Sequence, residues 1–334
     1  GVTDKGECVM KRILAGLLCA GVVLSLAGCT ASQPPQASSD ADVRIALSMS
    51  TRDQFLTTVE AAALGRAEDC GVDCTVWDAG NDYAVQMQHV RDARSQGYDA
   101  LIVNEVAPSL TRGILREAGD LPVVFVNRQP SMEELTAGEQ VYVGSDDLEP
   151  GRFQAAWLND YADEKGLDSL RIVYLTGTEG QTSTDKRRES LTQNLRVDYD
   201  FVYDSTAQFD RAKAKQQVET LLEVGQAFDV IVAQNDEMAI GAAEALESAG
   251  QDLCPILGID GTEAGCQAVL DGRLAFTVHQ SGGEQGRAAV DAALALIQGQ
   301  GLETVTEATL SEDGLSLMIP YAPVDADNAA TYLE

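Results

Sequence analysis

Basic side chains are scarce in this chain of 334 residues: 23 lysines and arginines stand against 53 aspartates and glutamates, a net charge of −30. A face that binds nucleic acid or anionic lipid needs clustered positive charge, and no basic cluster follows residue 188, so neither is expected as a partner. The acid excess reads as solvated surface. Histidine is rarer still, with only His89 and His279, and neither sits near a cysteine pair at zinc-ligand spacing, so no metal site is expected. A Ser-His-Asp or Cys-His arrangement is missing, which speaks against hydrolysis by a nucleophile. A phosphate-cradling Gly-x4-Gly-Lys-Ser/Thr loop is missing too, so ATP is not bound by that route and no cofactor is expected.

What the chain does have begins at its front. Met10-Lys11-Arg12 is a basic segment, Ile13 to Leu26 an apolar run too short for a comfortable membrane span, and Leu26-Ala27-Gly28-Cys29 sets small residues before a cysteine. That order resembles the bacterial lipobox, in which cleavage falls just before the cysteine and the new terminal residue carries lipid. It implies a signal peptide over residues 1–28 starting at Met10, lipidation at Cys29, and a polar tether over residues 29–41. At about 0.8 kcal/mol per buried CH₂, several acyl chains hold a protein firmly to the outer face of the cytoplasmic membrane or in the periplasm. Cys8 lies upstream of this signal and Cys19 within it. Of the remaining cysteines, Cys70 with Cys74 and Cys254 with Cys266 form two local pairs, for which disulfides and buried thiols are equally good readings.

From Asp42 onward, short β-branched runs alternate with amphipathic stretches, the pattern of a parallel α/β sheet. Strands are predicted at Val43–Met49, Thr75–Asp78, Ala100–Asn104, Val123–Asn127, Arg171–Thr176, Phe201–Asp204, Asp229–Gln234, Ile256–Asp260 and Ala275–His279. Helices are predicted at Gln54–Glu68, Val85–Gln96, Phe153–Lys165, Ala212–Val224, Met238–Ser248 and Glu284–Ile297. The chain also repeats itself: Leu121-Pro122-Val123-Val124-Phe125-Val126-Asn127 is echoed by Cys254-Pro255-Ile256-Leu257-Gly258-Ile259-Asp260. Roughly 300 residues and a repeat predict two similar doubly wound parallel-sheet lobes.

Ligands of such sheets sit at the carboxyl ends of the strands, so the residues just past each apolar run matter most. These are Asp53 and Phe55, Asn127 and Arg128, Arg187, Phe209, Asn235, Asp260 and Gln280. Carboxylates that accept from two hydroxyls, amides that donate and accept, a planar guanidinium and two phenyl faces suit a sugar ring. Taken singly, Asp53, Asn235 and Asp260 also suit helix caps, Phe55 and Phe209 suit a core, and Arg187 suits a solvated helix face. Their joint placement in both halves favours a site.

These residues resemble a known family, the bacterial sugar-binding proteins of ATP-driven importers, in its galactose/glucose-binding and ribose-binding group. The similarity runs over nearly all of residues 43–333 and is carried by Ala233-Gln234-Asn235-Asp236-Glu237-Met238-Ala239-Ile240-Gly241-Ala242, by Leu257-Gly258-Ile259-Asp260-Gly261-Thr262 and by Asp271 to Gln280. Val123 to Ser131, Tyr142 to Asp146 and Pro320 to Asp325 look closest to the galactose/glucose branch. The resemblance implies two lobes joined by a hinge, the type I periplasmic binding protein fold, with residues 42–146 plus 281–314 in one lobe and 147–280 plus 315–334 in the other. It makes Asp53, Asn127, Arg128, Arg187, Asn235 and Asp260 ligands of sugar hydroxyls, Phe55 and Phe209 the aromatic faces, and Gln280 an amide at the last crossing. Gln181 and Ser183 stand where the galactose/glucose branch has a histidine and an aspartate, whereas Phe209 and Gln280 are the choices of the ribose branch. The loop after Met49 is about two residues shorter than in the galactose/glucose branch, and Asp163 to Ser169 does not match the calcium loop of some members.

The implied activity is capture of a hexose or pentose by hinge closure and delivery to the transmembrane subunits of an ABC permease, by a monomer that is not an enzyme. A sensor that presents the sugar to a chemoreceptor or histidine kinase is the alternative. A glycosidase using Asp53 and Asp260 has little support, because both carboxylates lie among groups suited to binding hydroxyls.

Overall fold

Runs such as Ile45-Ala46-Leu47 are apolar on both alternating faces, which a strand tolerates only when both sides of its sheet are covered. The computed structural model describes residues 43–333, and there those runs form parallel sheets with helices on both sides. The order is β1 (Arg44–Met49), α1 (Leu56–Asp69), β2 (Asp73–Asp78), α2 (Tyr83–Ser95), β3 (Ala100–Val103), α3 (Thr111–Ala118), β4 (Val123–Val126) and β5 (Gln140–Gly144). The chain then enters a second unit through α4 (Glu149–Lys165), β6 (Ser169–Thr176), α5 (Thr182–Asn194), β7 (Asp198–Thr206), α6 (Arg211–Glu223), β8 (Val230–Ala233), α7 (Asp236–Ser248), β9 (Ile256–Leu257), α8 (Glu263–Leu270) and β10 (Thr277–His279). It returns through α9 (Gly282–Gln298), β11 (Thr309–Leu310) and β12 (Ser316–Met318), and ends in the second unit with β13 (Ala322–Val324).

The first lobe is a seven-stranded sheet in the order β11-β12-β5-β4-β3-β1-β2. Leu56 and Val59 of α1 and Ala288 to Val290 of α9 cover one face, and Val90 of α2 and Ile114 of α3 cover the other. The second lobe has a four-stranded sheet, β7-β6-β8-β9, covered by Leu158 of α4 and Leu191 of α5 on one side and by α6 and α7 on the other. The antiparallel pair β10–β13 joins it through bridges from Leu257 to Phe276 and from Asp260 to His279. Each fully buried Leu, Ile or Val in these layers contributes about 1.5–3 kcal/mol.

Three segments cross between the lobes: residues 145–148, 280–281 and 319–321. The third corrects the placing of residues 315–334 in the second lobe, because β12 pairs in parallel with β5, Ser316 opposite Tyr142, and belongs to the first sheet. Three helices and four strands add to the expected list: α3, α5, α8, β5, β11, β12 and β13. Cys74, Cys254 and Cys266 are thiols, so neither local bridge is formed. Cys29, the signal peptide and the tether lie outside the described residues. Among the described residues, no helix is long and apolar enough to cross a membrane.

Candidate functional site

The carboxyl ends of both sheets face the cleft between the lobes. In the first lobe, the turn after β1 supplies Asp53, whose Oδ1 accepts the N–H of Leu56 at 2.7 Å and so closes the open start of α1. The capping role and the site role therefore fall on one side chain. Burial raises the Asp53 pKa, and Leu56 N–H and the nearby Arg128 guanidinium hold it down. Phe55 is buried beside it. After β4 comes Asn127, whose φ of +66° puts it in the left-handed region that Asn tolerates better than most residues. Its amide donates to Gln285 Oε1 at 3.0 Å and approaches Gln280 Oε1 at 3.4 Å. Arg128 donates to the carbonyls of Glu105 and Val106 at 3.3 and 3.4 Å.

In the second lobe, Ser183 and Arg187 are four residues apart on α5 and share a face. Arg187 is 4% exposed and donates from Nη1 to the Gln234 carbonyl at 2.6 Å and from Nη2 to the Tyr321 hydroxyl at 3.2 Å. Its Nη2 lies 3.6 Å from Asp147 and 3.9 Å from Asp260, and its buried Nε has no partner. Burial alone would lower its pKa, but Tyr321, Asp147 and Asp260 together raise it, so the guanidinium stays charged. Phe209 follows β7 with φ of +59°, and a Cβ at Gly177 would overlap its ring, so only glycine lets the ring settle there. Asn235 caps α7 through Met238 N–H at 2.9 Å while its Nδ2 donates to the Phe209 carbonyl at 3.3 Å. Asp260 has φ of +113° and accepts from Gln280 Nε2 at 2.7 Å. Burial drives its pKa well above the usual carboxylate range against the pull of Arg187.

Asn127, Phe209 and Asp260 thus hold backbone conformations that each cost on the order of 1–3 kcal/mol. All three point to one place: a cavity of about 50 Å³ lined by Asp53, Phe55, Asn127, Arg128 and Gln280 together with Ser183, Arg187, Phe209, Asn235 and Asp260. Ten of the eleven expected residues therefore meet. Gln181 does not line it. Its amide donates across the cleft to the Val106 carbonyl at 2.7 Å and faces an outer cavity of about 620 Å³. Lys186 also bridges the lobes, 2.7 Å from Gln129 Oε1, so the lobes are closed on each other.

Two lining residues were not foreseen, Leu56 and Asp147. Asp147 follows β5, which is not among the predicted strands, so no predicted strand end marks it in the sequence. The cavity brings together carboxylate acceptors, amides of both senses, two guanidinium groups and two phenyl rings, the groups that engage the hydroxyls and C–H faces of a polar ring. Among the described residues, no group of three or more His, Cys, Asp or Glu side chains could hold a metal ion.

Residues 45–301 match the family model of the periplasmic binding protein domain. A putative rhizopine-binding protein of Rhizobium meliloti is 31% identical over 72% of this chain and 82% of its own length. The D-galactose/methyl-galactoside binding periplasmic protein of Haemophilus influenzae is 31% identical over 79% of this chain and 83% of its own. An ABC transporter solute binding protein from Bacillus halodurans, solved with bound myo-inositol, superposes with a TM-score of 0.76 at 30% identity, covering 89% of this chain and 99% of that one. A match over most of both lobes, with relatives that are binding proteins rather than enzymes, shows that the chain belongs to the periplasmic binding protein family.

Proposed function

We propose that this protein captures a free monosaccharide or cyclic polyol outside the cytoplasm and passes it, as a monomer, to an ABC permease. The observation that carries the reading is the convergence of ten expected polar and aromatic residues, from both lobes, on one cavity. The relatives that bind galactosides or carry myo-inositol support the ligand class. Asp53 and Asp260 would accept from hydroxyls, the unpartnered Nε of Arg187 would donate, and Asn127 and Asn235 would complete the set as the lobes shut. A wrong epimer leaves a buried group unpaired, at about 1–3 kcal/mol each. The lipobox at Cys29 would keep the protein at the membrane, and loss of palmitate labelling and membrane retention in Cys29→Ala tests that part.

Titration calorimetry with myo-inositol, D-galactose and D-ribose tests the site. At least one should bind, and Arg187→Ala should abolish the heat, because it leaves Asp147 and Asp260 buried without their cation, a loss of about 3–5 kcal/mol. Unchanged affinity in both Arg187→Ala and Asp260→Ala would sink the assignment.

A further inference from the structure

The three crossings between the lobes meet at one oxygen. Tyr321, on the third crossing, is 5% exposed and does not line the ligand cavity. Its hydroxyl donates to Asp147 Oδ1 on the first crossing at 2.9 Å. It lies 3.5 Å from Oε1 of Gln280 on the second. The same oxygen accepts from Arg187 Nη2 at 3.2 Å. Its backbone N–H is held as well, donating to the Glu149 carboxylate at 3.1 Å where the first crossing becomes α4.

A buried hydroxyl has one proton to give, and here it goes to the carboxylate, which leaves the oxygen's lone pairs for the guanidinium. Asp147 faces Arg187 and Tyr321 together, so removing the hydroxyl loosens the hold on both hinge and guanidinium. We propose that the Tyr321 hydroxyl is a positioning group for ligand capture: it fixes the Arg187 fork in the cleft and ties that fork to all three hinge segments, so that ligand engagement and lobe closure act as one event. This rests on the reading of the cavity as a polyol site, since Arg187 is the link to the ligand. The hydroxyl acts without touching the bound ring.

Tyr321→Phe keeps the ring and its packing while deleting the oxygen. With myo-inositol, D-galactose and D-ribose as probes, it should weaken binding of whichever the wild type takes by about tenfold, as expected for one lost charged hydrogen bond. Stopped-flow measurement should place that change in faster release, with the ligand-free variant still folded by circular dichroism. With saturating ligand, small-angle X-ray scattering should show a larger radius of gyration for the variant than for the wild type, because the closed arrangement has lost its tie. Asp147→Asn, which cannot balance the guanidinium, should move both readouts in the same direction and provides the test if Tyr321→Phe fails to fold. Affinity and release rate equal to wild type would overturn the proposal. If the wild type binds none of the three probes, the polyol reading fails and the proposal built on it falls with it; wild-type binding matched by both variants overturns the proposal alone.

Discussion

The two lobes place a residue at the same point of a repeated strand, and they place different chemistry there. Asn127 ends the segment beginning Leu121-Pro122, and Asp260 ends its echo beginning Cys254-Pro255. Both have positive φ, at 66° and 113°, and both line the cavity. In the first lobe the position is a neutral amide, satisfied by the amides Gln285 and Gln280. In the second it is a carboxylate, and with it come Arg187 and Asp147, all nearly sealed from water. A strained backbone at a strand end is thus the shared device for aiming a side chain at the cleft, while the charge state of that side chain is free to diverge. A neutral group needs only hydrogen-bond partners; a buried charge needs a countercharge, and the second lobe provides one.

Making the lobes alike is the strongest way to break the comparison. Asp260→Asn keeps shape but removes the acceptor charge, and calorimetry should find affinity reduced by ten- to a hundredfold, in line with about 1.5–3 kcal/mol for a charged hydrogen bond. Equal affinity would mean that the asymmetry has no bearing on binding. A second test uses the first lobe's own buried carboxyl. Glu105 follows β3, accepts from the Thr111 hydroxyl at 3.0 and 3.2 Å, and is pushed by burial up to about 8, with Thr111 and Arg128 pulling the other way. A carboxyl whose folded pKa is raised stabilises the fold below its unfolded pKa, and that contribution is lost as pH climbs toward the folded value. Wild type should therefore lose about 1.4 kcal/mol per pH unit relative to Glu105→Gln between the ordinary glutamate range and pH 8. Parallel denaturation curves across that range would refute it. The smallest effect is expected from Asn127→Gly, which frees the strained backbone and deletes the amide. Chemical denaturation should show a change within about 1 kcal/mol, while binding falls about tenfold. An unaltered affinity would remove Asn127 from the site.

How much of this was legible in the sequence follows from what each element buries. The nine expected strands and six expected helices are present because their buried faces are apolar and periodic. Helix α5 was not foreseen, because its buried face is Thr184, Arg187, Ser190 and Leu191, and a polar face leaves no hydrophobic period. The same polarity that hides the helix makes it part of the site. Strand β5 is short and follows the polar stretch Thr136 to Glu139, and α3 and α8 have only eight residues each, too few to declare a period. The third crossing was misplaced by a few residues because nothing local in Ser316-Leu317-Met318 says which sheet edge it joins; that is decided by β5, more than 170 residues earlier. Gln181 entered the expected set through the resemblance alone; it stands just before α5, and its side chain reaches across the cleft to the Val106 carbonyl instead of into the cavity.

The last strands of the chain are shared out, β12 to one sheet and β13 to the other. Neither half is complete until residues 316–324 have been made, so the usual order, in which an early unit settles before a later one begins, is unavailable here. Clipping the backbone before residue 316 would strip a strand from each half at once, so damage at a single surface point is felt on both sides of the molecule.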